Sequence, residues 1–314
     1  MLGNAPNFRS PATSGTITLM TLNATPTPKS QLPIGADIRL VAIDMDGTLL
    51  NDAKEFPEGL WELLDQLDER GIVFAPSSGR QAWTLLDMFP GREDMTVIGE
   101  NGAIVMKNGE EISSSPVDHD TLHAAIDMVR AAVAGGVDGG IVLCGKQSAY
   151  VERIDDRFVD DVLPYYHRTQ RVEDLHEVLC AMDRGEIDDA IVKTAIMCFD
   201  DVERFAEQSL ARFADTHQYA VSGHAWADLQ IRGVDKGKAV RDLQEALGIT
   251  RAQTVAFGDF HNDLSMLAEA DMAFAMANAH EDIIAACPYV APSNNEDGVV
   301  QTLRLLLGLE EERA

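Results

Sequence analysis

Asp44 and Asp46 stand two residues apart in Asp44-Met45-Asp46-Gly47-Thr48, where an apolar run breaks into a turn. Two carboxylates so placed can face one pocket, one attacking an electrophilic centre such as phosphorus while the other moves a proton. Gly47 permits a tight turn, and neighbouring backbone N–H groups can then hold an anionic oxygen. Alone, these residues also fit an Asx-type turn with solvated acids. A second cluster, Ser77-Ser78-Gly79-Arg80, offers a hydroxyl beside a flexible backbone, a pairing that binds phosphate but is also common in plain turns. A third is Gly258-Asp259-Phe260-His261-Asn262-Asp263, preceded at a distance by Val234-Asp235-Lys236-Gly237-Lys238. Carboxylates from this segment meeting Asp44 would make an oxygen-rich site suited to magnesium. Lys236 can offer a point charge to phosphate and offset the crowded acids. His261 is surrounded by oxygen chemistry and is expected to be a bystander.

The elements around these clusters place them together. Residues 38–44 (IRLVAID) are apolar and β-branched, the pattern of a strand buried on both faces of a parallel sheet. Pro57 opens a helical pattern of Leu60, Leu63, Leu64 and Leu67, closed by Gly71. Strands are expected at 72–76, 96–99, 254–259, 272–276 and 289–291. Helices are expected at 81–89, 237–247, 262–270, 280–286 and 298–307, and a hairpin about Asn108-Gly109. Strand alternating with helix implies a doubly wound α/β core. In such sheets ligands bind at the carboxyl ends of the strands, where all three clusters fall.

Residues 112–224 differ in character. Helical stretches (121–133, 201–216) alternate with short strands such as 195–199, and acidic runs appear at 155–161 and 200–204. They read as an inserted α/β domain within a core made of 37–111 and 225–310, with 228–233 a strand or linker of the returning core. Residues 1–36, rich in Ser, Thr, Pro, Gly and Asn, lack the basic start and apolar middle of a secretory signal and read as a poorly ordered extension.

Bulk properties narrow the partners. The chain of 314 residues is 46% hydrophobic, with a mean hydropathy of -0.09, ordinary for a water-soluble globular protein. Its 52 acidic against 25 basic residues give a formal charge of -27, which disfavours nucleic acid and anionic membrane. The same field repels a phosphorylated ligand, so a phosphate site here needs strong local positive charge. No stretch approaches the roughly 20 apolar residues of a membrane span. Cys144, Cys180, Cys198 and Cys287 form no CxxC pair and are expected as reduced thiols in a cytoplasmic protein.

The order of Asp44-x-Asp46-Gly47-Thr48, Ser78-Gly79-Arg80, a long gap, Lys236, then Gly258-Asp259-x-x-Asn262-Asp263 resembles the haloacid dehalogenase superfamily. Within it, the chain is most similar to Cof-type phosphatases with an inserted α/β cap of type IIB. The segments 100–103 (ENGA), 276–281 (MANAHE) and 293–299 (SNNEDGV) match as well, so the likeness spans about 38–307. The resemblance implies Asp44 as nucleophile and magnesium ligand, and Asp46 as general acid/base whose backbone carbonyl also reaches the metal. It implies Gly47, Ser78, Gly79, Lys236 and Asn262 as phosphate-binding, Asp259 as a metal ligand, and Asp263 as a group supporting metal and phosphate. Members often carry a lysine where this chain has Ile284, which touches only a peripheral salt bridge.

The expected activity is hydrolysis of a small phosphorylated metabolite through an aspartyl phosphate. Two rivals are a phosphomutase on the same fold and a sensor that binds a phosphorylated ligand without turnover. A sensor has no use for a second acid two residues after the first.

Overall fold

The computed structural model describes residues 23–221 and 225–309. Five strands precede the insertion: β1 (Leu40–Asp44), β2 (Val73–Ser77), β3 (Val97–Gly99), β4 (Ile104–Lys107) and β5 (Glu110–Ser114). Six follow within it: β6 (Gly139–Gly145), β7 (Ala149–Val151), β8 (Thr169–Arg171), β9 (Ile191–Cys198), β10 (His217–Val221) and β11 (Trp226–Ile231). The chain then returns with β12 (Thr254–Gly258), β13 (Met272–Met276) and β14 (Tyr289–Ala291).

The first sheet runs β14-β13-β12-β1-β2-β3-β4-β5, parallel from β14 to β3 and antiparallel through β4 and β5. β1 lies at its centre and shows why its sequence is apolar throughout. Val41 and Ile43 join one hydrophobic cluster, with Leu60, Leu64 and Leu303. Leu40 and Ala42 join the other, with Val240, Leu243 and Met266. Helices Leu60–Glu69 and Gly298–Leu306 thus cover one face, and Lys236–Leu247 with Leu264–Ala268 the other. This is the doubly wound α/β arrangement. Register brings the three clusters to one edge: Asp44 lies opposite Ser77, and Ile43 opposite Phe257, one residue before Gly258. The hairpin at Asn108 and Gly109 has both residues at positive φ (55° and 73°), as a two-residue turn of that type requires.

The second sheet runs β10-β11-β9-β6-β7-β8 and has its own hydrophobic cluster on helices His119–Ala134, Leu175–Asp183 and Val202–Ser209. β11 corrects the boundary expected at 225. It pairs antiparallel with β10 and β9, so the chain rejoins the core after Ile231, through Arg232-Gly233-Val234. The reason is legible in β11 itself: Ala227 and Leu229 point into the second sheet's cluster, while Asp228 and Gln230 line a cavity on the opposite face. The helix expected over 201–216 ends at Ser209, and the chain becomes a strand at His217.

Of the segment 1–36, residues 1–22 lie outside the described residues. Residues 24–35 run against the core, with Ala24 N donating to Ala277 O, Thr27 N to Val290 O and Gly35 N to Leu306 O. Among the described residues, no helix is long and apolar enough to cross a membrane, and the four cysteines are free thiols.

Candidate active site

β1 ends on Asp44, and the turn that follows bends at Gly47 with φ +82°. A side chain there would collide with the Asp259 carboxylate, so glycine is required by both conformation and space. Thr48 Oγ1 donates to Asp259 Oδ1 at 3.0 Å, tying the turn after β1 to the loop after β12. Segments singled out in the sequence brace the same turn. Asn278 Nδ2 donates to Gly47 O at 2.8 Å, Asn294 N donates to Asn278 Oδ1 at 3.0 Å, and Asn294 Nδ2 donates to Leu50 O at 3.0 Å.

Lys236 opens the helix Lys236–Leu247, whose N-cap Asp235 accepts from Lys238 N. Its ammonium is buried, bonded to Asp44 Oδ1 and 2.7 Å from Asp263 Oδ1. Burial pulls down the proton affinity of Lys236, but Asp44 and Asp263 more than offset it and hold the amine well above its usual range. Asp263 is fully buried. Its Oδ2 accepts from the backbone N–H groups of Asp259 and Phe260 at 3.0 and 3.2 Å, shaping the loop.

Asp44, Asp259 and Asp263 each present an oxygen within 4.8 Å of the other two. Burial, then the charge of Asp263, pushes the Asp44 carboxyl up. Burial, then Asp263 again, pushes Asp259 up to about 6. Carboxylates crowded this closely around one lysine lack countercharge, and a hard divalent cation with oxygen ligands fits that deficit.

Asp46 faces elsewhere. Arg80 lies 2.7 Å from its Oδ2 and Lys54 2.8 Å from its Oδ1. Burial raises its carboxyl, and these two cations outweigh that and leave it below the usual carboxylate range. Ser78 is buried at the end of β2, with Oγ accepting from Arg80 N at 3.2 Å. Gly79 packs closely on the Asn101 side chain, and Asn262 is exposed on the cavity wall.

All nine expected site residues except Gly47 and Asp263 line one cavity of about 1040 Å³, and those two contact its lining residues Asp259 and Lys236. Sequence reasoning left Arg80 without a role and missed Lys54 and Thr48. Arg80 carried a signal, since it closes the Ser-Gly-Arg run; Lys54 carried none. His261, expected as a bystander, shares the Asp282 carboxylate with His280, which caps the helix Glu281–Ala286. Ile284 packs against the hydrophobic cluster beneath that helix.

The cavity's opposite wall comes from the inserted segment: Tyr165 and Tyr166 at the 3-10 turn before β8, Gln218 on β10, and Trp226, Asp228 and Gln230 on β11. Trp226 meets Tyr165 edge-on with centroids 5.8 Å apart.

Comparison with known proteins agrees with this architecture. The family model of the haloacid dehalogenase-like hydrolases matches residues 41–303. The 5-amino-6-(5-phospho-D-ribitylamino)uracil phosphatase YbjI of Escherichia coli K12 is 31% identical over 276 residues, covering 86% of this chain and 96% of that protein. A Bacillus subtilis enzyme of the same activity, YcsE, is 23% identical over 273 residues, covering 85% and 95%. Among solved structures, TM0651 from Thermotoga maritima matches with a TM-score of 0.69 and 26% identity, over 85% of this chain and 96% of that one. A Eubacterium rectale structure matches with a TM-score of 0.75 and 24% identity, over 86% and 99%. The chain belongs to the haloacid dehalogenase-like hydrolases and is a phosphoric monoester hydrolase.

Proposed function

We propose that this protein is a magnesium-dependent phosphatase that acts through an aspartyl phosphate on Asp44. The observation that carries the reading is the convergence of Asp44, Asp259 and Asp263 around the buried Lys236 at the base of one large cavity. Asp44, Asp259 and Asp263, with the Asp46 backbone, would hold the metal, which when bound supplies countercharge to the phosphoryl oxygens.

Asp44 Oδ attacks phosphorus as the bond to the leaving oxygen breaks, and Asp46 gives that oxygen a proton. Lys236 and Ser78 hold the phosphoryl oxygens through the transfer, with Gly47, Gly79 and Asn262 completing the cradle. Ionised Asp46, the form that Arg80 and Lys54 favour, then takes a proton from water as the water attacks the Asp44 phosphate. Phosphate leaves and Asp44 is restored. The local cations Lys236, Arg80 and Lys54 answer the repulsion that a net charge of -27 would otherwise impose.

The residues of the second wall favour one substrate class. Tyr165 and Trp226 offer aromatic surface for a planar ring, and Asp228 and Gln230 offer polar groups for its edge. A phosphate ester joined by a polyhydroxyl chain to a heterocycle fits this division, and the relatives named for a phosphoribitylamino-uracil support it. Phosphate release should be measured, with magnesium, on that compound, flavin mononucleotide, pyridoxal phosphate and simple sugar phosphates. Preference for ringless sugar phosphates would overturn the substrate reading. Return of phosphate to a second sugar hydroxyl, with none released, would favour the phosphomutase, and binding without turnover the sensor.

A further inference from the structure

Lys193 sits on β9, in the second sheet, yet its ammonium is bonded within the first sheet's loops. Nζ donates to the carbonyl of Gly79 at 3.0 Å and lies 2.6 Å from Glu100 Oε2, with Asp228 of β11 at 3.8 Å. Lys193, Glu100 and Asp228 are all buried.

The bond to Gly79 completes a pattern. Three consecutive carbonyls of the phosphate loop each have a donor: Ser78 O from Asn101 N at 2.9 Å, Gly79 O from Lys193 Nζ, and Arg80 O from Glu100 N at 2.9 Å. Two of those donors are backbone groups of Glu100 and Asn101, both held at φ +53°, a conformation that non-glycine residues adopt at a cost. The Glu100 side chain is anchored by Lys193, so one ammonium secures the middle carbonyl and the residue that secures the one after it. A carbonyl committed to a donor is not free to turn its lone pairs toward an incoming anion.

We infer that Lys193 is a positioning residue for phosphate binding, which completes the Ser78-Gly79-Arg80 loop only while the second sheet is seated on the first. This rests on the proposed phosphate-binding role of that loop. It assigns the inserted sheet a task beyond selecting the leaving group: the sheet contributes one fixed atom to the architecture of the phosphate site.

The test is steady-state hydrolysis of p-nitrophenyl phosphate by the full chain, with inorganic phosphate as inhibitor and magnesium as activator. Lys193→Met should weaken inhibition by phosphate and raise KM, each on the order of tenfold. The half-activating magnesium concentration should stay within about twofold, because Lys193 touches none of the clustered carboxylates Asp44, Asp259 and Asp263. A folded Lys193→Met enzyme with unchanged phosphate inhibition and KM, whatever its melting temperature, overturns the inference. Should the single variant not fold, Lys193→Met/Glu100→Gln removes both buried charges of the closest pair while still lacking the donor to Gly79. The same weakening is then expected, and unchanged phosphate inhibition again overturns the inference. Ser78→Ala separates the two failures. If it leaves phosphate inhibition unchanged, the loop does not bind phosphate and the underlying reading falls, and this inference with it. If it weakens inhibition while Lys193→Met does not, only the role of Lys193 falls.

Discussion

Lys236 Nζ lies 2.7 Å from Asp263 Oδ1, and neither side chain is more than 1% exposed. A buried lysine joined to two carboxylates leaves those carboxylates exposed to each other's repulsion if its charge is removed. Lys236→Met should therefore destabilise the metal-free protein by about 3–5 kcal/mol, the usual effect of breaking a buried pair on one side. Chemical denaturation with and without magnesium checks this, and added magnesium should recover part of the loss. A metal-free stability equal to that of the native chain would refute the countercharge account.

Metal affinity should rise with pH. Asp259 is pushed up to about 6 by burial and by Asp263, well above the ordinary carboxylate range. A raised carboxyl contributes stability that is fully present below the unfolded value and is lost as pH rises through the folded value. The metal-free protein thus loses this contribution between about pH 4 and 6, as crowded charge develops. Magnesium binds the ionised form, so its apparent affinity should increase from pH 5 to 7, with proton release on binding. Calorimetric titration in buffers of different ionisation enthalpy measures both, and a flat affinity across that range would contradict it.

Gly47→Ala tests the closeness of the two loops. Its φ of +82° is unfavourable for alanine, and the new methyl would meet the Asp259 carboxylate. Magnesium activation should be lost or weakened by an order of magnitude or more, with a stability loss on the order of 1–3 kcal/mol. Normal magnesium activation in this variant would place Asp259 away from the metal.

Much of this arrangement is legible in the amino-acid sequence. β1 and β12 are buried on both faces, so their sequences are continuously apolar and end abruptly on Asp44 and, just past Gly258, on Asp259. That fixed the carboxyl edge and the main clusters on it. Trp226–Ile231 was misassigned because a strand's own sequence does not reveal which of two sheets it will join; its pairing partner His217–Val221 lies just beyond the stretch 201–216 that read as helix, where no element was expected. Lys54 approaches Asp46 only because the turn after β1 folds back, and Lys193 reaches Gly79 across two sheets. Contacts of that kind depend on how the sheets dock, and no local pattern encodes them.

The two acids at the turn should fail differently. Asp44→Asn removes the attacking oxygen, so no substrate should turn over and no phosphoenzyme should form. Asp46→Asn spares that oxygen and loses the proton donor, typically a factor of roughly 10²–10⁴. A sugar hydroxyl needs the proton on leaving, whereas p-nitrophenolate does not, so the first step should suffer less with p-nitrophenyl phosphate. The second step needs Asp46 as base for every substrate, and phosphoenzyme should accumulate. Quenching Asp46→Asn during turnover and locating phosphate on Asp44 measures this. If none accumulates and both substrates lose rate equally, the proton belongs to another residue.

Trp226→Ala addresses the leaving group. Trp226 stands on β11 with Tyr165 edge-on beside it, and both line the cavity that holds the clustered carboxylates. Its partial exposure means that truncation removes contact surface without opening a closed core. A substrate whose ring rests there loses aromatic contact worth about 0.5–1.5 kcal/mol beyond the area buried. The kcat/KM for a ring-bearing ribityl phosphate should therefore fall about tenfold or more. A ringless pentose phosphate has no ring to lay against Trp226 and should keep its kcat/KM within about twofold. Magnesium activation should be unchanged for both, since Trp226 touches no carboxylate of the site. Equal losses on the two substrates would mean that Trp226 supports the docking of the second sheet instead of reading the ring, and the wall that selects substrate would have to be sought around Gln218 and Tyr219.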